Sequence, residues 1–276
     1  MAGALWAIAF GLFVLLTLYP FAIYPLVLRL LPRAAPVSPG PGGQSFALLF
    51  CAYNEAKALP DVLARLSEVK RIWPDLRIRA FNDLSSDGTG ALLEEASDIL
   101  EVIHATDRTG KPAGMRRLLA ETAEDVCLFM DANVLVAPET LPHFRYYFAD
   151  PAVGAVAATV SLSNPGAGAV AATGSAFWRL EEHIKALESR TGSTMGCDGA
   201  LFAARRRWYP AFPPDLADDM RVSFEAIFQG ERCLSAPDIL AFEPAATASG
   251  DEFRRKRRIA CGAWSTHRHM RQGLAR

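Results

Sequence analysis

The chain has 276 residues, 51% of them hydrophobic, and a net charge of −1 at pH 7. That length suits one α/β core plus an anchor, and the near-neutral balance excludes a global positive charge that would recruit nucleic acid. Five cysteines, at 51, 127, 197, 233 and 261, form no CxxC pair; their odd number and wide spacing exclude a disulfide framework or a zinc site and fit a reduced cytosolic domain.

Met1 to Leu28 carries no charged side chain. As a helix, Leu5 to Leu28 would span roughly 36 Å at ~1.5 Å per residue, against a hydrocarbon core of about 30 Å. A secretory signal would need a positive start and a shorter apolar run, so residues 1–31 are expected to be a single transmembrane anchor. Pro20 and Pro25 predict a kink or an early end. Arg29 and Arg33 follow the apolar run and no Lys or Arg precedes it, which assigns the remaining chain to the cytoplasmic side of the cell membrane. Residues 32–45, with Pro32, Pro36, Pro39, Pro41 and Gly43, read as a linker.

Apolar runs then alternate with helical patterns. Phe46–Cys51, Leu76–Phe81, Ile99–Ile103, Val126–Met130 and Val153–Leu162 are predicted strands. Leu59–Ile72, Gly90–Ser97, Gly110–Thr122, Pro138–Phe148 and Ala169–Ser189 are predicted helices. The alternation predicts an α/β domain over 46–250, with a mostly parallel sheet flanked by helices. Residues 251–276 form a basic C-terminal segment that suits a membrane interface. No sequence repeat interrupts this order.

Four polar clusters fall where predicted strands end: Tyr53-Asn54-Glu55, Asn82 through Thr89, Arg108-Thr109-Gly110-Lys111, and Asp131-Ala132-Asn133. One aspartate after a strand is often only a cap or turn residue, and Asp87-Gly88-Thr89 fits that role. Four clusters along one sheet edge predict a ligand cleft. A sugar nucleotide matches them chemically. Asp83 and Tyr53 offer an acceptor and a stacking face to a base, and a carboxylate such as Glu55 suits a ribose diol. Lys111 and a Mg²⁺ or Mn²⁺ ion suit a diphosphate leaving group. Asp131 and Asn133 alternate along an expected extended chain, so they would point the same way and share the ion. Asp218-Asp219, ahead of a helical stretch to Gln229, reads either as an N-cap or as a source of the general base.

Other features are weaker. The run Arg254-Arg255-Lys256-Arg257-Arg258 suits a solvated face, anionic lipid or a diphosphate. Arg205-Arg206-Arg207 reads as a surface turn. His267 and His269 lack a third ligand for a metal. Trp178 reads as packing rather than sugar stacking.

Together these residues resemble family 2 glycosyltransferases of the GT-A fold, the group that includes cellulose, hyaluronan and poly-N-acetylglucosamine synthases and ceramide glucosyltransferase. The resemblance runs from about Phe46 to Trp264. Cys51-Ala52-Tyr53-Asn54-Glu55 is similar to the opening "YNE" strand end, and Asn82 through Thr89 to "DDxSxDGT", which implies that Asp83 contacts the nucleobase. Gly110-Lys111 resembles "GK", and Asp131-Ala132-Asn133 occupies the "DxD" position for diphosphate and metal. Gly196-Cys197-Asp198-Gly199-Ala200 resembles the acceptor-side "GxxGA", which puts Gly199 in the donor/acceptor pocket. Asp218-Asp219 matches "ED", which puts Asp218 in that pocket and implies that Asp219 is the catalytic base. Arg255 to Ile259 lies where processive members have "QxxRW", which implies roles for Arg255 and Arg258.

The sequence departs from the pattern at three places. Asn133 replaces a metal-ligating carboxylate. Arg116 stands where many members have Asn. "QxxRW" reads RxxRI, and Trp264 is the nearby ring that could replace the lost one. Many members also carry further transmembrane helices, whereas this chain stops at Arg276. The expectation is therefore a membrane-anchored inverting glycosyltransferase that moves a sugar from a nucleotide sugar, a UDP-sugar first, to a hydroxyl of a glycan or lipid-linked acceptor. A nucleotidyltransferase and an inactive nucleotide-sugar-binding membrane protein are the alternatives; the former would place a Gly-rich basic loop after its first strand, and none follows Cys51.

Overall fold

The computed structural model describes residues 2–163, 169–209, 218–244 and 249–274. It begins with α1 (Ala2–Leu18), a π-helical turn over Tyr19–Ile23, and α2 (Tyr24–Leu30). Among the described residues one helix, Gly3–Leu30, is long and apolar enough to cross a membrane, with a mean hydropathy of 2.1. Pro20 does not end it. The π turn absorbs the missing backbone donor, and the helix resumes at Tyr24.

The domain that follows runs β1 (Phe46–Ala52), α3 (Leu59–Ile72), β2 (Arg77–Asn82), α4 (Thr89–Glu95), β3 (Glu101–His104), α5 (Lys111–Ala120), β4 (Val126–Asp131) and β5 (Leu135–Val136). A 3₁₀ turn over Leu141–His143 leads into α6 (Phe144–Phe148), then β6 (Val153–Leu162) and α7 (Ala169–Thr191). The order ends β7 (Leu201–Arg205), α8 (Asp218–Phe228), β8 (Arg232–Glu243) and α9 (Ser249–Leu274). The helix predicted over Pro138–Phe148 is thus helical only from Leu141.

One eight-stranded sheet has the order β3-β2-β1-β4-β7-β6-β8-β5. Strands β3, β2, β1 and β4 are mutually parallel, as are β6 and β8. Strand β7 runs antiparallel between β4 and β6, and β5 closes the far edge antiparallel to β8. The parallel part needs helical crossovers, which α3, α4 and α5 supply. Its strands are buried on both faces, which is why they read as unbroken apolar runs. Along β1, Phe46, Leu48 and Phe50 join the layer under α3 with Leu66 and Trp73, whereas Ala47 and Leu49 join the layer under α5 with Met115 and Leu118. Helix α5 lies so close that a Cβ on Gly114 would sit 2.4 Å from the Phe81 ring and 2.9 Å from Cys51 Sγ.

The segment 32–45 has no helix or strand but is strapped to the domain. Ala34 N–H donates to the Arg190 carbonyl at 2.9 Å, Ser38 N–H to Asp150 at 2.8 Å, and Gly40 N–H to the Ala149 carbonyl at 2.9 Å. Helix α2 docks on α7, where the Tyr24 hydroxyl donates to Glu188 at 2.6 Å and Arg29 to His183 at 2.8 Å. The expected surface turn at Arg205–Arg207 is corrected for its first member. Arg205 ends β7, is buried, and donates to the carbonyls of Val153, Phe148 and Asp150. A guanidinium has five fixed donors, so it can satisfy several strand-end carbonyls at once. The basic run at 254–258 lies within α9, a helix of 26 residues.

Candidate active site

The strand ends of β1, β2 and β4 all open on one edge of the sheet, with the loops 53–58, 83–88 and 105–110 around it. The first two loops are tied together by their own side chains. Ser86 N–H donates to Asn54 Oδ1 at 2.9 Å, Glu55 N–H to Thr89 Oγ1 at 2.8 Å, and Ala56 N–H to Asp87 Oδ2 at 3.0 Å. Asp87 also accepts from Thr89 N–H and Oγ1, so it holds the turn as the sequence suggested, while the N-cap of α4 is Gly88. Asn54 and Leu84 sit at φ +55° and +59°, strained backbone of the kind that clusters at functional sites.

Asp83, at the tip of β2, is buried and accepts four hydrogen bonds. Thr109 N–H (2.8 Å) and Oγ1 (3.2 Å) reach Oδ1, while Gly110 N–H (2.9 Å) and Arg108 Nε (3.1 Å) reach Oδ2. Burial alone would raise its pKa, but those donors outweigh burial and hold it below the usual carboxylate value. Arg108 also lies over the Tyr53 ring, 3.1 Å from its centroid. The two groups expected to receive a base, the Asp83 carboxylate and a Tyr53 face, are therefore both covered by Arg108 here. Arg108 falls in a strand-end cluster, but no local sequence pattern signals this role.

Lys111 opens α5 and reaches the end of β4. Its ammonium lies 2.7 Å from Asp131 Oδ1 and 3.9 Å from Asp218 Oδ2. Burial would lower its pKa, but Asp218, Asp131 and Asp219 together hold it above the ordinary lysine value. The pair Asp218-Asp219 forms the first turn of α8 rather than preceding the helix. Burial, and then the charge of Asp218, pushes Asp219 up to about 7, against the lowering effect of the Met220 N–H and Lys111. Glu55 is also raised, by burial and then by Asp131 and Asp87, so it faces the same carboxylates.

Asp131 and Asn133 do not alternate along an extended chain. Strand β4 stops at Asp131, and Val134 N–H donates back to the Asp131 carbonyl at 3.1 Å, so 131–134 is a turn. Asp131 N–H donates to the Ala200 carbonyl at 3.1 Å, which brings the 196–200 segment beside the carboxylates. A Cβ on Gly199 would meet Asp219 Oδ2 at 2.8 Å. Among the described residues no group of three or more His, Cys, Asp or Glu side chains encloses a cation. Asp131 is the half-exposed carboxylate of the group, and with the Asn133 amide it offers hard oxygen ligands. That set suits Mg²⁺ or Mn²⁺ when diphosphate oxygens complete the shell.

Beyond Asp219 lies a second charged group, which joins Arg255 and the Asp198 of the 196–200 segment to two residues with no signal in the sequence, Glu182 and Lys185. Lys185, on α7, is buried between Glu182 (2.9 Å) and Asp198 (3.5 Å). Arg255, on α9, pairs with Glu243 at 2.9 Å and lies over the Trp178 ring at 5.5 Å. Glu182 and Lys185 carried no signal because charges three apart on a helix usually face water. Arg258 and Trp264 are exposed on α9, and among the described residues neither bonds to the carboxylate cluster. His267 Nδ1 engages the Ala263 carbonyl at 2.8 Å. A cavity of about 550 Å³ lined by Gly42, Gly43, Asp125 and Arg205–Arg207 opens at the opposite end of the strands. It lacks the convergent carboxylates and is not the candidate site.

No curated protein matches the chain in sequence. Three solved structures illustrate the shared architecture. A mannosyltransferase from Pyrobaculum calidifontis in complex with GDP-Man and Mn²⁺ superposes with a TM-score of 0.74 at 23% identity, covering 91% of this chain and 72% of its own. Mannosyl-3-phosphoglycerate synthase from Rubrobacter xylanophilus gives 0.55 at 17%, covering 83% and 75%. S. aureus TarS 1–349 in complex with UDP-GlcNAc gives 0.54 at 16%, covering 73% and 59%. At these identities the likeness establishes the fold, GT-A. The sequence itself matches the family described as glycosyltransferase like family 2 over residues 41–262, and with that span and the motif order along one sheet edge the chain belongs to this family of glycosyltransferases.

Proposed function

We propose that the protein is a membrane-anchored, inverting transferase that moves a sugar from a nucleotide-sugar donor to a hydroxyl of a glycan or lipid-linked acceptor at the cytoplasmic face. The observation that supports this most is the Lys111 ammonium 2.7 Å from Asp131 and 3.9 Å from Asp218, with Asp219 next in the chain. Tyr53, Asp83, Arg108 and Glu55 receive the nucleoside. A carboxylate such as Asp83 accepts the ring N–H of uracil or guanine alike, so UDP- and GDP-sugars both suit it. Lys111 binds the diphosphate and balances its charge as the bond to the sugar breaks. Asp131 and Asn133 would hold a divalent cation, which supplies Lewis-acid stabilisation of the leaving group when bound.

Asp219 is the base. It takes the proton from the acceptor hydroxyl while that oxygen bonds to the anomeric carbon, and the anomeric C–O bond to the diphosphate breaks with its electron pair leaving on the nucleotide. A carboxylate raised to about 7 is matched to proton abstraction near neutral pH. The family resemblance supports inversion by single displacement. The uncharged stretch to Leu28, followed by Arg29 and Arg33, supports the anchor and its orientation. Helix α9, with exposed Phe253, Trp264 and Arg257, suits an anionic lipid surface beside it.

The test is full-length protein in detergent with a panel of UDP-, GDP- and dTDP-sugars, with and without membrane lipid. The expected result is release of nucleoside diphosphate, loss of it with EDTA, recovery with Mn²⁺ or Mg²⁺, and a 10²–10⁴-fold fall for Asp219→Asn. Pyrophosphate release would indicate a nucleotidyltransferase, and binding without turnover an inactive receptor.

A further inference from the structure

The charged group beyond Asp219 is joined to the carboxylates around Lys111. Asp198 raises the pKa of Asp219, and Asp198 and Asp131 both raise that of Glu243, so the two groups share one electrostatic field. Gly199 lets the 196–200 segment lie against Asp219, and Asp198, one residue earlier, reaches Lys185 at 3.5 Å. Asp198 also accepts the Ala200 N–H at 3.0 Å, which fixes its direction. Helix α7 supplies Trp178, Glu182 and Lys185, and β8 and α9 supply Glu243 and Arg255.

Two polar atoms within this group are buried with no hydrogen-bond partner: the Trp178 indole N–H, a donor, and Glu182 Oε2, an acceptor. Trp178 is only 9% exposed. The other Glu182 oxygen holds the Lys185 ammonium at 2.9 Å, so Oε2 lies at the ion pair itself. Residues 178 and 182 are four apart on one helix and face the same way. An orphaned buried donor or acceptor is unfavourable, and in a native fold such atoms are satisfied from outside the chain, by ordered water or by a ligand. A hydroxyl does so, because it accepts from the indole N–H and donates to the carboxylate oxygen. Lys185 and Asp198 add a second donor and acceptor for a neighbouring hydroxyl.

We propose that Trp178, Glu182, Lys185 and Asp198 form a hydroxyl-binding subsite that holds the sugar ring of the acceptor next to Asp219. The ligand class is a polyhydroxylated ring; it is neither an anion nor a second nucleotide, since the subsite carries two carboxylates against one ammonium. The proposal rests on the transferase reading above. Trp178, Glu182 and Lys185 act as positioning residues, and the proton still leaves through Asp219.

The experiment uses full-length protein in detergent, the donor the wild type hydrolyses fastest, and octyl mannoside and octyl glucoside as acceptor probes. Trp178→Phe keeps the ring and removes only the N–H, and Glu182→Gln keeps the side-chain length. For wild type, one of the glycosides should accelerate nucleotide release at least fivefold. Each variant should raise the KM for that glycoside about tenfold, while its Kd for the nucleoside diphosphate by calorimetry stays within twofold of wild type. An unchanged glycoside KM in both variants overturns the subsite. So does a wild type that hydrolyses donor but responds to neither glycoside, because the ligand class is then wrong. A wild type that hydrolyses no donor overturns the transferase reading instead.

Discussion

Lys111→Met removes the ammonium from among Asp131, Asp218 and Asp219. Two unit charges 3.9 Å apart, the Lys111–Asp218 separation, interact by about 4 kcal/mol at an effective dielectric constant of ~20. The Lys111 and Asp218 side chains retain 35% and 16% of their exposure, so solvent screening reduces this to roughly 1–2 kcal/mol, or about one pKa unit. Losing a neighbouring cation favours the protonated carboxyl, so the apparent pKa of the adjacent Asp218–Asp219 pair, which governs the base, rises above about 7. The base must be ionised to act. The acid limb of kcat/KM therefore moves about one pH unit upward. The assay is nucleoside diphosphate release between pH 5.5 and 9.5 for wild type, Lys111→Met and Lys111→Arg. Loss of leaving-group stabilisation lowers the Met variant at every pH, whereas the pKa effect adds a roughly fivefold deficit at pH 7 that vanishes by pH 9. Arginine keeps the charge and should leave the limb in place. An acid limb in Lys111→Met that coincides with wild type would refute the reasoning.

Further outcomes follow from other contacts. Gly199→Ala drives a Cβ to 2.8 Å from Asp219 Oδ2; displacing the base should lower kcat by about tenfold to a hundredfold with nucleotide Kd unchanged, as read by steady-state kinetics and calorimetry. Asp219→Asn should stabilise the fold at pH 8. A carboxyl raised to about 7 when folded and near 3.9 when unfolded contributes stability that is full below pH ~4 and is lost as pH rises through 7. The variant should therefore gain about 4 kcal/mol over wild type at pH 8 and almost none at pH 4, measured by thermal unfolding in detergent. Arg205→Met leaves the carbonyls of Val153, Phe148 and Asp150 without their shared donor and should destabilise by about 3 kcal/mol, read by denaturant titration. Asp83→Ala removes the acceptor of four hydrogen bonds and should raise the Kd for UDP or GDP at least tenfold; an unchanged Kd removes Asp83 from the nucleotide site.

The parallel half of the sheet was legible because both its faces are covered. Continuous runs such as Phe46–Cys51 and Val126–Met130 leave little ambiguity, and the helix Leu59–Ile72 was read to the residue. Strands β7 and β8 escaped because their residues mix small, charged and apolar types: Leu201–Arg205 ends in arginine, and β8 contains Pro237 and Asp238. Arginine at a strand end reads as solvent-facing until the fold supplies three carbonyls to be satisfied. The same limit applies at the site. Asp83, Lys111 and Asp131 were each visible in polar clusters where apolar runs stop, and Asp219 was visible at the head of a helical stretch. The expectation that Asp131 and Asn133 shared one face was wrong in its reason, since a two-residue alternation holds only while the chain stays extended, and β4 stops at Asp131.

The pairing of Lys185 with Asp198, and of Arg255 with Glu243, depends on α7 packing beside β8 and the 196–200 segment and on α9 reaching the end of β8, an arrangement fixed by packing and invisible to local pattern. This has a functional consequence. In the function proposed above, the donor half of the cleft is assembled from the parallel half of the sheet, β1, β2 and β4, whose strand-end motifs sit in sequence order. The half beyond Asp219 is assembled from α7, the 196–200 segment, β8 and α9, which meet only in three dimensions. Sequence motifs therefore report nucleotide chemistry far more directly than they report the acceptor. Acceptor choice in this chain is to be sought in the side chains of α7 and α9 rather than in the strand-end motifs that identify the family.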